Sequence, residues 1–408
     1  MENRKVVLCY SYCVDMDFDN CLDIKGNYIS EFVRAKEKKE VYPMGKKKVA
    51  RLASMNSDYK RLEIERNHIS LAEDGLHTNG KFGEYEWWYF DGKMDDGSNL
   101  VIVFYSQPVT AAIPCYSPSI TFSLTKDGKH IQDSIALKMK DCSFDREKCS
   151  LKLGKSFCEG DLKNYKLHYE TERVQADVTL VSSTDSWRPE TGHFLFDEIK
   201  YFAWLPSVPE GKMEATITVD GEKMTFTGTG YHDHNWGNIG MFWIMHHWYW
   251  GRAKIGEYQV ISSYITAHKP YNYEHFPIFL ISKNGKKLGD NPAYLTYTQS
   301  EPEFDPITEK HYHKKLVYDY NDGKQRYKVI YSAEKIIETF VVADSKTSVQ
   351  AKSNPVLNWI VKQAKLAPSY IRMVGTVTLE KYENDIVVET VTSPGLWEQM
   401  YFGLDEDV

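Results

Sequence analysis

The sequence has no apolar run long enough to cross a bilayer and no excess of basic residues. A membrane-spanning helix needs about 20 consecutive apolar residues. The formal net charge is −7, which argues against nucleic acid as the main partner because phosphate contacts require a basic surface. The first residues carry acidic side chains and a broken apolar stretch, which is untypical of a signal peptide. We therefore expect a cytoplasmic protein.

Cysteine is also scarce. The chain has seven cysteines, an odd number, and no C-x-x-C pair. Cys142, Cys149 and Cys158 lie near one another in the sequence but fit no zinc-binding pattern. We expect free thiols, as in most cytoplasmic proteins.

Helical periodicity is rare, with one weak candidate at residues 354–365, whereas short β-type runs recur from Gly83 onward. Asp-Gly or Asn-Gly pairs, which are strong hairpin signals, separate such runs. These pairs lie at residues 95–98, 126–129, 220–223 and 283–286. The 28 Tyr, 18 Phe and 10 Trp favour strands and also suit apolar binding sites. The pattern predicts an all-β protein with two β-barrels or sandwiches.

We predict that the chain divides into an N-terminal extension and two β-domains. The extension contains mixed-charge runs such as Arg34–Glu40, which are typical of a solvated helix face or a flexible arm. The turn-rich stretch Leu205–Gly211 is interpreted as part of the link between the two domains. The predicted segments are residues 1–65 for the extension, 66–235 for the first domain and 236–408 for the second.

One dense group of ionisable and aromatic residues is G-Y-H-D-H-N-W-G at residues 230–237. It follows a β-type run and ends at a glycine, so we expect it to continue a strand. Side chains of a strand alternate between two faces. The predicted faces are His232, His234 and Trp236 on one side, and Tyr231, Asp233 and Asn235 on the other.

Three interpretations of this group remain open. A metal site would use His232 and His234 and needs a third ligand, for which Glu86, Asp233, His246 and His247 are candidates without diagnostic spacing. An acid–base site would use a carboxyl group whose pKa is raised by an apolar, aromatic environment. A buried, fully hydrogen-bonded polar network that closes a barrel end is the third interpretation.

A second aromatic stretch, E-W-W-Y-F at Glu86–Phe90, belongs to a predicted strand. Alternation places Glu86 and Trp88 on the same face. Glutamate is seldom buried unless it is paired, so we expect Glu86 either to pair with Arg252 or a histidine of the 230–237 group, or to point to water.

A third stretch, at residues 241–252, is also rich in aromatic residues. Alternation predicts Trp243 and His247 on one face, with His246 and Trp248 on the other. Such a density of rings suits a large hydrophobic ligand, and it suits an aromatic core almost equally well.

The two motifs Glu86–Phe90 and Gly230–Gly237 resemble the carotenoid 1,2-hydratase (hydroxyneurosporene synthase) and AttH-like superfamily, which includes fungal lipocalin-like cyclases and Diels–Alderases. The resemblance covers roughly residues 80–408. It implies two lipocalin-like β-barrel domains with a cavity at their junction. It also implies activity without a redox cofactor on long, apolar, often isoprenoid molecules, although the fold alone does not fix the reaction.

The hydratase pattern implies essential roles for His234 and Trp236. It also implies a Tyr-x-Asp on a later strand, for which the nearest match is Tyr264 followed by Thr266 in place of the aspartate. The usual acid of the family is then absent, and we expect Asp233 or Glu86 to serve instead.

We therefore predict acid-catalysed hydration or cyclisation of an apolar isoprenoid or polyene, without cofactor or metal. The predicted acid is Asp233, held by His234 and Asn235, with Trp88, Trp236 and Tyr264 along the path of the cation. The other residues expected to contact the substrate are Tyr231, His232, Trp243, His247 and Trp248. The alternatives are a pericyclase and a non-catalytic carrier of an apolar ligand. The composition leaves open a loose membrane association that gives access to the substrate.

Overall fold

The computed structural model describes residues 48–109, 116–341 and 368–403, and these residues form two antiparallel sheets. The predicted all-β class is therefore confirmed. The helix predicted at residues 354–365 lies outside the described residues, as do residues 1–47. The only α-helix of the described part, Asn56–Leu62, has seven residues, and no described helix is long and apolar enough to span a membrane.

The first sheet has 13 strands and includes the E-W-W-Y-F and G-Y-H-D-H-N-W-G motifs. Its strands are β1 Ala50–Leu52, β2 Tyr85–Met94, β3 Asn99–Gln107, β4 Ser119–Lys126, β5 Lys129–Ala136, β6 Cys142–Phe144, β7 Ser150–Leu153, β8 Ser156–Gly160, β9 Asn164–Glu170, β10 Val174–Ser182, β11 His193–Phe196, β12 Lys200–Val219 and β13 Glu222–Gly237. The main order is β5-β4-β3-β2-β13-β12-β10-β9-β8-β7-β6, with β11 on β12 and β1 on β11. The strand β13 therefore lies between β2 and β12.

The second sheet has nine strands in the order β17-β16-β15-β14-β22-β21-β20-β19-β18. Its strands are β14 Met245–Ile255, β15 Tyr258–Ala267, β16 His275–Lys283, β17 Lys286–Gly289, β18 Leu295–Asp305, β19 Lys310–Asn321, β20 Arg326–Val341, β21 Ser369–Glu383 and β22 Ile386–Tyr401. Short 3₁₀ helices complete the described structure at Leu71–Asp74, Met139–Asp141, Met241–Trp243, Lys269–Tyr271 and Pro292–Tyr294.

The predicted hairpin turns are confirmed. Asp127 and Gly128 between β4 and β5 both have positive φ, of 50° and 72°. Asp220 and Gly221 repeat this conformation between β12 and β13, with φ of 50° and 88°. Two consecutive residues with positive φ form the turn whose twist matches the flanking strands, which explains the Asp-Gly sequence.

The predicted link at Leu205–Gly211 is wrong, because this stretch lies inside the long strand β12. Its prolines fall where the pairing of β12 with β13 is irregular, between Leu205 and Val208 and between Val208 and Gly211. Proline cannot donate a ladder hydrogen bond and is tolerated at such irregularities. The described part of the predicted extension also joins the fold, since Ala50–Leu52 pairs with β11.

Each sheet curls around an inner aromatic core. In the first sheet, the ring of Phe122 on β4 stacks on Tyr169 on β9 at a centroid distance of 5.4 Å. In the second sheet, Tyr264 on β15 stacks on Tyr297 on β18 at 3.8 Å. These contacts join strands that are distant in the sheet order, as expected of lipocalin-like β-units, and they confirm the predicted fold of two such units.

The outer faces of the two sheets meet in a further apolar cluster, here called the junction. Rings from both sheets contact one another there: Phe202 with Trp248 at 6.3 Å, Phe194 with Phe276 at 5.4 Å, and Tyr231 with Trp250 at 5.6 Å. The strand β13 consequently has the inner core of the first sheet on one side and the junction on the other.

The segment before β2 is attached to the first sheet by a buried ion pair. Arg188 Nε lies 2.7 Å from Glu73 Oε2, and the two side chains are only 4% and 8% exposed. Arg188 also donates to the carbonyl oxygen of Glu65 at 2.7 Å. A buried carboxylate that loses its partner is left as an uncompensated charge.

We expect Arg188→Met to lower the free energy of unfolding by about 3–5 kcal/mol, because it leaves Glu73 buried and unpaired. The matched control is Arg173→Met, which removes an exposed pair with Asp220 and should cost less than about 1 kcal/mol. Urea denaturation of both variants measures the difference. Equal losses for the two variants would contradict this assignment.

Candidate active site

The last eight residues of β13, Gly230 to Gly237, are buried on both faces of the strand. Its register with β2 places His234 opposite Trp88 and Asp233 opposite Tyr89. The predicted alternation is therefore present, and the two faces enter different environments. One faces the inner core of the first sheet, and the other faces the junction.

The inner face is a stack of rings and imidazoles. His232 stacks on Phe90 at 3.9 Å, and His234 stacks on Trp88 at 4.3 Å. Trp236 stacks on His77 at 4.0 Å.

Glu86 lies in this inner core with no solvent exposure. Its carboxylate accepts hydrogen bonds from the backbone nitrogen of His77 at 2.7 Å, from the Thr78 hydroxyl at 2.5 Å and from His234 Nε2 at 2.9 Å. Burial alone would raise the pKa of Glu86, but the hydrogen bond and charge of His234 outweigh it and hold the pKa below its usual range. The predicted pairing of Glu86 with a histidine is confirmed. An ionised carboxylate with these partners is a poor proton donor, which argues against Glu86 as the acid.

A second buried carboxylate, Asp74, pairs with His232. Asp74 Oδ2 lies 3.3 Å from His232 Nε2 and accepts a 2.6 Å hydrogen bond from the Tyr165 hydroxyl. His232 Nδ1 lies 2.9 Å from the carbonyl oxygen of Tyr89 and donates to it. Burial lowers the pKa of His232, but the charge of Asp74 and its hydrogen bond outweigh burial and raise the pKa to about 10. Burial raises the pKa of Asp74, but the charge of His232 more than offsets this and lowers it.

Donor atoms of Asp74, Cys149 and His232 lie within 4.8 Å of one another, so their spacing alone would admit a metal ion. Without an ion, these groups form a different arrangement, and a metal would have to displace the protons of His232 and Cys149. A doubly protonated imidazole has no lone pair to offer, and burial raises the pKa of the Cys149 thiol. We interpret this set as an imidazolium–carboxylate pair beside a neutral thiol. Cys142, Cys149 and Cys158 are free, as predicted.

The outer face of β13 carries Asp233, which is 6% exposed and lies at the junction. Its Oδ2 accepts hydrogen bonds from Trp204 Nε1 and from the Tyr231 hydroxyl, each at 2.8 Å. Its Oδ1 accepts from Asn235 Nδ2 at 2.6 Å. Burial raises the pKa of Asp233, although the hydrogen bonds of Tyr231, Trp204 and Asn235 act in the opposite direction.

Several predicted neighbours of Asp233 lie elsewhere. The predicted support of Asp233 by His234 is wrong, because His234 points into the inner core and contacts Glu86. Trp88 and Trp236 share that inner face, and Trp88 donates from Nε1 to the carbonyl oxygen of Asp74 at 3.0 Å. Tyr264 lies inside the second sheet against Tyr297. The predicted path along Trp88, Trp236 and Tyr264 therefore does not exist as one surface.

The aromatic stretch of β14 is also divided between two environments. Trp248 lies at the junction, as Trp250 does, whereas His247 is buried in the second sheet. His247 stacks on Tyr401 at 5.0 Å, and its Nε2 lies 3.4 Å from the hydroxyl of Thr266. Trp243, on a 3₁₀ helix, is 47% exposed and lies outside both cores.

The junction contributes functional candidates that the sequence analysis missed. Trp204 is a donor to Asp233, and Tyr89 and Trp250 are half-buried rings close to it. Glu398 on β22 is a second carboxyl group, paired in register with Trp250. Burial raises the pKa of Glu398, while the charge of Arg372 and the hydrogen bond from Tyr370 act in the opposite direction. Alternation from Trp88 to Tyr89 would have indicated Tyr89, but nothing near Trp204 or Glu398 in the sequence resembles a motif.

A cleft of about 1110 Å³ opens between the two sheets at another place, and its lining is mainly polar. Lys163 and Lys286 are among its residues, whereas Asp233 is not. The ring of Trp187 forms part of the cleft and lies edge-on against Trp204 at 5.9 Å. Volume alone would favour this cleft, but its polar lining does not suit an apolar ligand. The aromatic junction around Asp233 is chemically the better candidate.

The fold and the buried acid define a class: all-β proteins of two lipocalin-like units with a carboxyl group at their junction. The Diels-Alderase-like family matches residues 154–341 of the chain. The quinolone epoxide rearrangement protein penF of Penicillium thymicola is 31% identical over 103 residues, which are 24% of this chain and 28% of that protein. The hydroxyneurosporene dehydrogenase of Chlorobaculum tepidum is 25% identical over 226 residues, 45% of this chain and 58% of that protein.

Among solved structures, CghA with Sch210972 aligns at a TM-score of 0.56 and 10% identity, over 83% of this chain and 97% of that one. This similarity shows a shared fold. Together with the sequence matches, it confirms the resemblance found in the sequence: the chain is related to the carotenoid 1,2-hydratase and AttH-like superfamily, which includes cyclases. The chain spans only 28% and 58% of the lengths of the two curated relatives.

The pairing of Asp74 with His232 yields a prediction for protonation. A free histidine has a pKa near 6.5, whereas that of His232 is raised to about 10. We expect nitrogen-detected NMR to show His232 doubly protonated at pH 7.5, and singly protonated at the same pH in Asp74→Asn.

The sign of the pH dependence follows from these shifts. His232 contributes stability that is complete below about pH 6.5 and is lost as the pH rises through about 10. The lowered pKa of Asp74 contributes stability above about pH 4, which is lost as the pH falls. A singly protonated His232 at pH 7.5 in the unmodified protein would contradict the pairing.

Proposed function

We propose that the protein is an enzyme that cyclises, rearranges or hydrates a small, largely apolar molecule at the junction, without a redox cofactor. The observation that carries this proposal is Asp233, a carboxyl group with a raised pKa in an aromatic environment. A carboxyl group that stays protonated near neutral pH is a general acid. The proton is donated from Asp233 to the substrate.

The hydrogen bonds of Asp233 indicate which oxygen carries the proton. Oδ2 accepts from Trp204 Nε1, which can only donate, and from the Tyr231 hydroxyl. The proposal therefore places the proton on Oδ1, although Asn235 Nδ2 is assigned as a donor to this oxygen at 2.6 Å. An amide turned by 180° presents its oxygen to that proton, since the two ends of an amide are assigned from their contacts. Asn235 thereby orients the acid in its neutral form.

The names of the relatives narrow the substrate class. One acts in quinolone epoxide rearrangement, and another is named for hydroxyneurosporene. For an epoxide, transfer of the Asp233 proton to the ring oxygen accompanies breakage of a C–O bond and leaves a carbocation. For an isoprenoid or polyene, the same proton adds to an alkene carbon. An internal double bond, a migrating group or water then captures the cation. The resulting cation loses a proton to the Asp233 carboxylate, which gives the neutral product and restores the acid.

The aromatic rings at the junction suit this cation. The half-buried rings of Tyr89 and Trp250 lie 6.4 Å apart in an edge-to-face arrangement, and Tyr231 lies 5.6 Å from Trp250. Their electron-rich faces stabilise positive charge, and excluding water favours ring closure over hydration. A pericyclase would instead need only an oriented substrate. A carrier would bind without turnover.

We expect difference infrared spectroscopy at neutral pH to show the carbonyl band of a protonated carboxyl group, and Asp233→Asn to remove it. The control Asp220→Asn, on the exposed turn between β12 and β13, should leave the band unchanged because this side chain lies in solvent and pairs with Arg173. A spectrum of Asp233→Asn that keeps the whole band would contradict a neutral Asp233.

Turnover separates the three candidate functions. With a synthetic quinolone epoxide or an acyclic polyene as substrate, Asp233→Asn should slow an acid-catalysed reaction about 10²–10⁴-fold. Product analysis by mass spectrometry measures the rate, with Asp220→Asn as control. A variant that keeps most of its rate would favour the pericyclase, and saturable binding with no product would favour the carrier.

A further inference from the structure

The junction holds a second carboxyl group, Glu398, whose surroundings differ from those of Asp233. Glu398 projects from β22 beside Trp250, and its side chain is 19% exposed. Asp233 accepts hydrogen bonds from neutral donors. Glu398 instead has a charged neighbour, since Arg372 Nη2 lies 3.7 Å from Glu398 Oε2. The Tyr370 hydroxyl also donates to Glu398.

Among the residues that the structure describes, the charged side chains around Glu398 do not neutralise one another. Arg372 lies 3.2 Å from Glu338 and 3.7 Å from Glu398, so two carboxylates share one guanidinium. The other guanidinium at the junction, Arg252, is held by Asp91, with Nε 3.0 Å from Oδ2. The group of Glu338, Arg372 and Glu398 therefore carries one net negative charge when both glutamates are ionised.

Glu398 lies beside aromatic residues of the junction. Trp250 neighbours Glu398 across β14 and β22, and its ring is 6.4 Å from that of Tyr89. Burial and then the charge of Glu398 raise the pKa of Tyr89. A carboxylate beside the faces of Trp and Tyr is the arrangement that binds alkylated cations.

We propose that the junction binds the positively charged part of its ligand, with Glu398 as the counter-charge and Trp250 and Tyr89 around the cation. This inference rests on the proposed function, because it takes the junction as the binding site. It adds the chemical class of the substrate. That class is an apolar molecule that carries, or develops during the reaction, a positive charge on carbon or nitrogen. Asp233 then donates the proton as a neutral acid, and Glu398 stabilises the positive charge as an anion.

The test compares two probes of the same shape. Benzyltrimethylammonium is cationic, and neopentylbenzene is its neutral isostere. Titration followed by tryptophan fluorescence should show the ammonium binding roughly tenfold tighter or more, since the cation–π contacts and the carboxylate add to the shared apolar contact. Glu398→Gln should bring the two affinities close together, whereas Glu398→Asp should keep part of the preference.

Two further variants complete the experiment. Glu383→Gln removes an exposed acidic charge at the end of β21 and should leave the preference unchanged. Asp233→Asn should also leave it unchanged if Asp233 is the neutral acid of the proposed function. Equal affinities of the two probes, no binding of either probe, or a preference that survives Glu398→Gln would overturn the proposal.

The same variants distinguish a failure of the acid assignment from a failure of the cation site. A preference lost in Asp233→Asn but kept in Glu398→Gln would make Asp233 the anion, which overturns both assignments. A preference lost only in Glu398→Gln, together with an unchanged infrared band in Asp233→Asn, would support the cation site and contradict the neutral acid.

Discussion

The structure depends on the burial of β13 on both faces. Near Gly230–Gly237, the strand separates the inner core of the first sheet from the junction with the second. Because side chains alternate, each neighbour along the motif enters a different environment, although adjacent Cα atoms are about 3.8 Å apart. His232 and His234 are fixed by carboxylates on one side, and Asp233 is fixed by neutral donors on the other. One short sequence therefore serves both the packing of one unit and the chemistry between two.

The buried carboxyl groups show how environment separates the roles of similar side chains. Glu86 and Asp74 face imidazoles, and their pKa values are lowered despite burial. Asp233 faces an indole, a phenol and an amide, and burial prevails and raises its pKa. Hydrogen bonds from neutral groups stabilise an anion less than a nearby positive charge does. The inner face is thus suited to hold the first unit together, and the junction is suited to donate a proton.

The sequence predicted the fold well because its signals are local. Asp127–Gly128 and Asp220–Gly221 set the hairpins, and alternation assigned the two faces of β13. The site was less predictable, since its parts meet only in three dimensions. Trp204 lies on β12 and donates to Asp233, and Glu398 lies on β22, the last strand. No sequence spacing therefore links these two residues to Asp233. Alternation already places Trp236 on the face opposite Asp233, so grouping the two along one path went against that signal. What alternation cannot show is which face meets the second unit.

The central claim is that ligands bind on the outer face of β13 and not on its histidine face. A crystal structure of the protein soaked with an aryl quinolone tests it most directly. The account predicts density at the junction, against Tyr89 or Trp250 and within hydrogen-bonding distance of Asp233 Oδ1. Density in the inner core beside His234, or in the polar cleft next to Trp187 with the junction closed, would contradict it.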